Sequence, residues 1–308
     1  MLKRLTNQSE HRVFEQVAQA CDEFGAEVYR KIRVADVIDI EKCSTREIGT
    51  FALMSHFDFV VTDEAQMPLF AIEFDGSGHD GKNDWKKDAL CQQADLALFR
   101  VNFQALDAQL QDLSFLAYLV HTWFMAHVFK EMRESGQLPP DEPFMIWGFL
   151  KPDAKHIFDS QYNFTGIARG KIQRLVEKHK VYEEPILAPT PGHLSMAKDM
   201  EKFACFACIN IKGVNIFGSA RMDMRIPCFG SLADVPFGPI AIADFCDGLA
   251  HRALADNLSL YLEGAGHTLT SEGELKHHIR QLRIDEYRML HGGGPQGHAL
   301  SDELIFGK

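Results

Sequence analysis

Glu73 and Asp75 stand two residues apart in the apolar run 68–75, PLFAIEFD. Alternation along a strand sends both carboxylates out of one face, about 6.5–7 Å apart along the backbone, while Ile72 and Phe74 turn into the core. A third acid, Asp58, sits between Phe57 and Phe59 in the preceding run 56–62, HFDFVVT. The intervening DEAQM is turn-like, so pairing of the two runs as a hairpin would bring three carboxylates to one point. Carboxylates crowded in this way repel one another unless a hard cation neutralises them. Mg²⁺, or Mn²⁺ in its place, suits such a site because few carboxylates hold it and it keeps water for chemistry. Just downstream come His79, Asp84, Lys86 and Lys87. A helix-borne lysine facing the acids could orient an attacking water or stabilise a pentavalent phosphate, and His79 could serve as a base or hold the leaving group. Phosphodiester hydrolysis needs these parts.

The ordered set Glu73-Phe-Asp75-Gly76, His79, Asp84-Trp-Lys-Lys87 and Arg100-Val101, with Asp58 before it, resembles the PD-(D/E)XK nuclease superfamily, the restriction-endonuclease-like fold. Within it, the set is most similar to small domains related to very-short-patch repair endonucleases. The likeness covers about residues 6–104. It implies a mixed sheet flanked by helices, with Asp58, Glu73 and Asp75 holding the metal, and Glu73, Lys87, His79 and Glu10 in catalysis. Glu10, in NQSEHRVF, matches a glutamate found early in the first helix of such domains. One departure stands out. The superfamily's usual lysine comes two residues after the glutamate, where this chain has Asp75, so the resemblance implies a lysine moved to the helix, with Lys87 first and Lys86 second.

Single residues also have ordinary readings. Asp84 could be a helix N-cap, Glu10 part of a capping box, and Arg100 a structural salt-bridge partner. The loop DGSGHDGKND is not an EF-hand, since its sixth position is Asp80 and no glutamate closes it. Cys205 and Cys208 form one Cys-x-x-Cys in the apolar KFACFACINI, without a second pair at zinc-site spacing, and read better as buried strand cysteines.

Around these residues the periodicity predicts a helix capped by Asn7 or Ser9 and running to about Glu23, with Gly25 as its stop. A β-like stretch over 27–40 and a polar interval over 42–47 follow, then the two acidic strands. Beyond them come a helix over 84–95, a strand over 96–103 and a helix over 107–134. The break GQLPPDEP suggests a stiff, solvated connector. The expected organisation is a nuclease-like domain over 1–135, a second, unassigned α/β domain over 144–290, and a flexible tail over 291–308. In the second domain, ARGKIQRLVEKHKVY concentrates Arg169, Lys171, Arg174 and Lys178 against one acid, Glu177. With Lys86 these are the candidate nucleic-acid contacts; Arg174, Lys178 and Lys171 share a helix side.

With 32 Lys and Arg against 43 Asp and Glu, the net charge is −11. That argues against a protein that coats nucleic acid, whose affinity comes from neutralising phosphates, but not against an enzyme that confines basic residues to one face. Seven irregularly spaced cysteines make no disulfide framework, and the amino terminus lacks a signal peptide's apolar stretch, so a reducing cytoplasm is expected. The uncharged run 113–129 contains His121, Thr122 and His127; it suits a helix buried between domains better than a membrane span. The function expected is a Mg²⁺- or Mn²⁺-dependent endonuclease acting on DNA, with a protein partner at the second domain and homo-oligomerisation both open. The alternative is an inactive nuclease-fold module for binding or assembly in a DNA-processing or phage-defence complex.

Overall fold

The computed structural model describes residues 7–42, 45–76, 81–150, 154–156, 159–182, 190–224, 237–265 and 271–293. The chain divides into two compact units, residues 1–146 with 224–241 and residues 147–223 with 242–308. The first division thus falls just after the proline-rich connector, and a short later segment returns to the first unit.

In the first unit, α1 (Gln8–Asp22) opens with a capping box. Asn7 Oδ1 accepts from the Glu10 N–H at 2.8 Å, and Glu10 Oε2 accepts from the Asn7 N–H at 2.9 Å. Val13, Val17, Ala20 and Cys21 form its buried stripe, and Gly25 turns the chain at φ +66°. The strand β1 (Glu27–Arg33) ends earlier than the expected 27–40 stretch. Val34 and Ile38, four residues apart, are both buried, a helical spacing that the β-branched composition disguised, and Val34–Val37 forms α2. A helix the composition did not announce, α3 (Arg46–Met54), follows under a Thr45 cap.

Then come β2 (His56–Thr62), β3 (Pro68–Phe74), α4 (Asp84–Ala94) and β4 (Ala97–Val101). The sheet order is β1-β2-β3-β4. The first two pairings are antiparallel and β3–β4 is parallel, with α4 as the crossover that a parallel pair requires. On one face Val60, Ala71 and Leu98 pack with Leu90 and Cys91 of α4 and with Ile48 and Ala52 of α3. On the other, Phe59 lies near Phe14 of α1 and Phe70 against Trp123. The predicted continuous helix over 107–134 is instead α5 (Phe103–Asp107), a two-residue ribbon of β5 (Gln109–Leu110) and β6 (Leu113–Ser114), and α6 (Phe115–Glu134). The break falls at Gln111, whose φ of +55° no helix tolerates. Most of the apolar run lies buried on α6, within the first unit, and Phe124 stacks on Phe24 at 4.3 Å. Among the described residues no helix is long and apolar enough to cross a membrane.

The second unit contains α7 (Phe164–Lys178), β7 (Gly192–Lys198), β8 (Lys202–Ile211), β9 (Val214–Asp223), most of α8 (Phe237–Leu262), α9 (Glu272–Ile284) and β10 (Arg288–Gly293). Its sheet, ordered β10-β7-β8-β9, is antiparallel throughout. Leu275, Ile279 and Leu282 of α9 cover the face that carries Phe206 and Cys208. Against β9, α8 packs backbone to backbone: a Cβ on Gly218 would lie 2.1 Å from the Leu254 nitrogen, so only glycine fits. Cys205 and Cys208 are both buried on β8. Three apart on a strand, they leave by opposite faces, and Cys205 meets Cys246 of α8. Of the stretch 291–308 expected as a tail, His291–Gly293 belong to β10, with Gly293 paired to His193; residues 294–308 lie outside the described residues.

Candidate functional site

Asp58 and Glu73 come together where two strands part. The last paired residues of β2 and β3 at this end are Phe59 and Ile72, so the next pair, Asp58 and Glu73, projects from the opposite face to them. Beyond that point Asp58 takes over the ladder: its Oδ2 accepts the Phe74 N–H at 2.9 Å. Glu73 follows Ala71 on the side that packs on α4 and is 6% exposed. Lys87, one turn into α4, donates to Glu73 Oε2 at 2.6 Å and to the His56 carbonyl at 2.7 Å. The helix-borne lysine therefore does reach the glutamate.

A second ammonium, unforeseen in the sequence, closes the site from the other edge. Lys31 of β1 donates to Asp58 Oδ1 at 2.5 Å and to Glu10 Oε1 at 3.0 Å, so Glu10 both caps α1 and joins the cluster. Lys31 has φ +53°, a left-handed conformation that a lysine adopts at a cost of about 1 kcal/mol or more. It interrupts the β1–β2 pairing between Arg30↔Phe59 and Ile32↔Phe57. Its neighbours Arg30 and Arg33 made it one basic residue among several, and nothing short of that irregular backbone singles it out.

Asp75, expected beside Glu73 as a metal ligand, lies at the end of β3 with its N–H on the Val101 carbonyl, and its carboxylate stands 3.7 Å from Arg100. Arg100, paired with Glu73 in the β3–β4 register and 3% exposed, also contacts Asp84 at 3.3 Å and Asp88 at 3.0 Å. Burial opposes its charge, but Asp88, Asp84 and Asp75 outweigh that and hold its proton more firmly than usual. Asp84 is the first residue of α4, and the cap position belongs to Asn83. Lys86 turns away to Glu47 at 2.8 Å and is largely covered. His79 lies outside the described residues.

Together these ion pairs set six carboxylates, Glu10, Asp58, Glu73, Asp75, Asp84 and Asp88, against three cations. Burial pushes the pKa of Glu73 up to about 7, with Asp58 adding to the rise against the pull of Lys87 and Arg100. Glu73 Oε1 is buried without a hydrogen-bond partner, an acceptor that a cation would satisfy. Among the described residues, however, no three His, Cys, Asp or Glu side chains already stand together as an ion-holding group. The carboxylates instead hold lysines.

The raised Glu73 value makes folding pH-dependent. Between its ordinary value of 4.5 and about 7 the folded chain binds the extra proton, so stability falls by about 3 kcal/mol as pH rises through that window. Glu73→Gln removes this loss. In urea unfolding without divalent ions, the variant's stability relative to the parent is expected to be greater at pH 8 than at pH 5; a difference that does not change with pH would contradict the assignment.

Residues 2–112 match the model of a family described as "Protein of unknown function (DUF2726)". The matched stretch contains every described member of this cluster, from Glu10 to Arg100. No curated protein and no solved structure matches the chain.

The remaining expected contacts lie in the second unit on α7. Lys171 is bound to Asp256 at 2.6 Å, Arg174 and Lys178 are exposed, and Arg169 lines a cavity of that unit.

Proposed function

We propose that the first unit is a Mg²⁺- or Mn²⁺-dependent nuclease domain with a restriction-endonuclease-like core that hydrolyses phosphodiester bonds in DNA. The observation that carries this is Lys87 on Glu73, across from Asp58, at the parting ends of β2 and β3. The mixed four-stranded sheet with helices on both faces supports it, as does the buried Glu73 Oε1 that lacks a hydrogen-bond partner.

Asp58 and Glu73 would hold the ion, with Asp75 the third candidate on the strand face they share. A bound Mg²⁺ supplies Lewis acidity toward water and the phosphate. The chain's own groups do the rest. Lys87 opposes the rise that burial imposes on the Glu73 pKa and presents N–H donors toward the attacking water or the charge growing on phosphate oxygen. Lys31 gathers Glu10 and Asp58, fixing the first carboxylate. The resemblance gives His79 the role of base or leaving-group partner. Arg100 fixes the start of α4, and thereby Lys87, to the sheet. DNA phosphates would be met by Lys86, Arg169, Lys171, Arg174 and Lys178, of which Arg174 and Lys178 are the most available.

Incubating the full chain with supercoiled and linear DNA in Mg²⁺ or Mn²⁺ is expected to give cleavage that a chelator stops. DNA left intact in both ions would overturn the proposal.

One observation favours a second reading. Lys31 and Lys87 already neutralise Glu10, Asp58 and Glu73, as they would in an inactive nuclease-fold module that binds DNA or a partner. Such a module would bind DNA without cutting it, and would need no divalent ion.

A further inference from the structure

The second unit contains a cavity of about 330 Å³, of whose lining the nuclease reading uses only Arg169. Asp244, Asp247 and His251 stand three and four residues apart on α8, so they share one helix side. His193 of β7 and His291 of β10 face them from the paired sheet edge, with ring centroids 5.3 Å apart. The amino end of α7 closes the rim with Asn163, Thr165 and Arg169, and Trp147 and Tyr162 supply ring surface.

The hydrogen bonds show what this cavity still offers. Both oxygens of Asp247 are engaged: Ser195 Oγ donates to Oδ1 at 2.5 Å, and His291 Nε2 lies 3.3 Å from Oδ2. His251, 1% exposed, has Nδ1 2.9 Å from the Asp247 carbonyl. A carbonyl only accepts, so Nδ1 carries the proton and Nε2 is left with a bare lone pair. That Nε2 is buried without a partner, as is His193 Nδ1. Burial, with Arg169 adding to it, holds both imidazoles below their usual range and so neutral, and burial beside Asp247 pushes Asp244 up to about 7. Arg169 makes no ion pair among the described residues, so it is the one cation on the wall without a carboxylate of its own. Asp247 on the same wall is already engaged by Ser195 and His291, whereas the guanidinium of Arg169 is left to meet a ligand, and its planar fork suits phosphate oxygens. A bare imidazole lone pair deeper in the cavity selects a hydroxyl or amine donor on the same molecule. The volume is at the small end of ligand pockets, which run from about 300 to 1,000 Å³.

We propose that this cavity is a binding site for a small phosphomonoester of mononucleotide size, with Arg169 holding the phosphate, His251 Nε2 accepting a hydrogen bond from the ligand body, and Trp147 and Tyr162 flanking its ring. The site shares only Arg169 with the nuclease reading, and the test keeps the two apart. Calorimetric titration of the full chain carrying Glu73→Ala, in EDTA, uses adenosine 5′-monophosphate, adenosine and inorganic phosphate in separate runs. Saturable binding of the monophosphate at one site per chain is expected, with adenosine weaker by at least about tenfold. Arg169→Met, at an exposed position where the fold should be unaffected, is expected to weaken the monophosphate by a similar factor, and Arg169→Lys by less. Failure of the monophosphate to saturate overturns the proposal. So does equal affinity for adenosine, or unchanged binding in Arg169→Met.

Discussion

Glu73→Ala is expected to lower divalent-ion-dependent DNA cleavage about 10³-fold, and Lys87→Met by a comparable factor. The two side chains are 2.6 Å apart and act as one unit, so the double variant should lose little more than either single one. Their pH profiles separate the roles. Without Lys87, the buried carboxylate loses the partner that pulls its pKa down, and the residual activity of Lys87→Met should rise at higher pH than in the parent. Lys87→Arg keeps the charge but not the compact ammonium, and should fall between. Parental rates in Lys87→Met, in protein shown to be folded, would remove the lysine from the mechanism.

The largest stability effect is expected at Arg100. Its guanidinium is 3% exposed and lies among Asp75, Asp84 and Asp88. Arg100→Met fills the space but takes the guanidinium from between these carboxylates. Breaking a buried ion pair from one side costs about 3–5 kcal/mol, and urea unfolding at neutral pH should show a loss of that size. A loss below about 1 kcal/mol would mean that solvent and the remaining lysines already screen the acids.

Much of this site could be read from residue order. The strand pair 56–62 and 68–74, the turn between them and the helix from Asp84 follow from alternation and turn chemistry, because each is local. Residue order put a lysine of the helix opposite the acids, the resemblance singled out Lys87 over Lys86, and Lys87 reaches Glu73 at 2.6 Å. Lys31 could not be found that way. Its place opposite Asp58 depends on the β1–β2 register and on a positive φ, neither of which leaves a mark in VYRKIRV. The same holds for Val34–Ile38, where β-branched composition favours a strand and only the buried α3 surface makes a helix turn the better packing. In the second unit, His193, His251 and His291 lie on three separate elements, and each alone is an ordinary histidine. The charge excess on α7 was visible, but not that Lys171 is bound to Asp256 while Arg169 turns to a cavity.

Calorimetric titration of the full chain with Mn²⁺ at pH 8, beside an Asp58→Asn/Glu73→Gln variant, tests most directly whether these carboxylates exist to hold a cation. The expected result is uptake of at least one ion per chain that the variant loses, with an apparent affinity in the parent that rises as pH passes about 7, the value at which Glu73 gives up its proton. Equal uptake by both proteins, or no uptake by the parent, would contradict it.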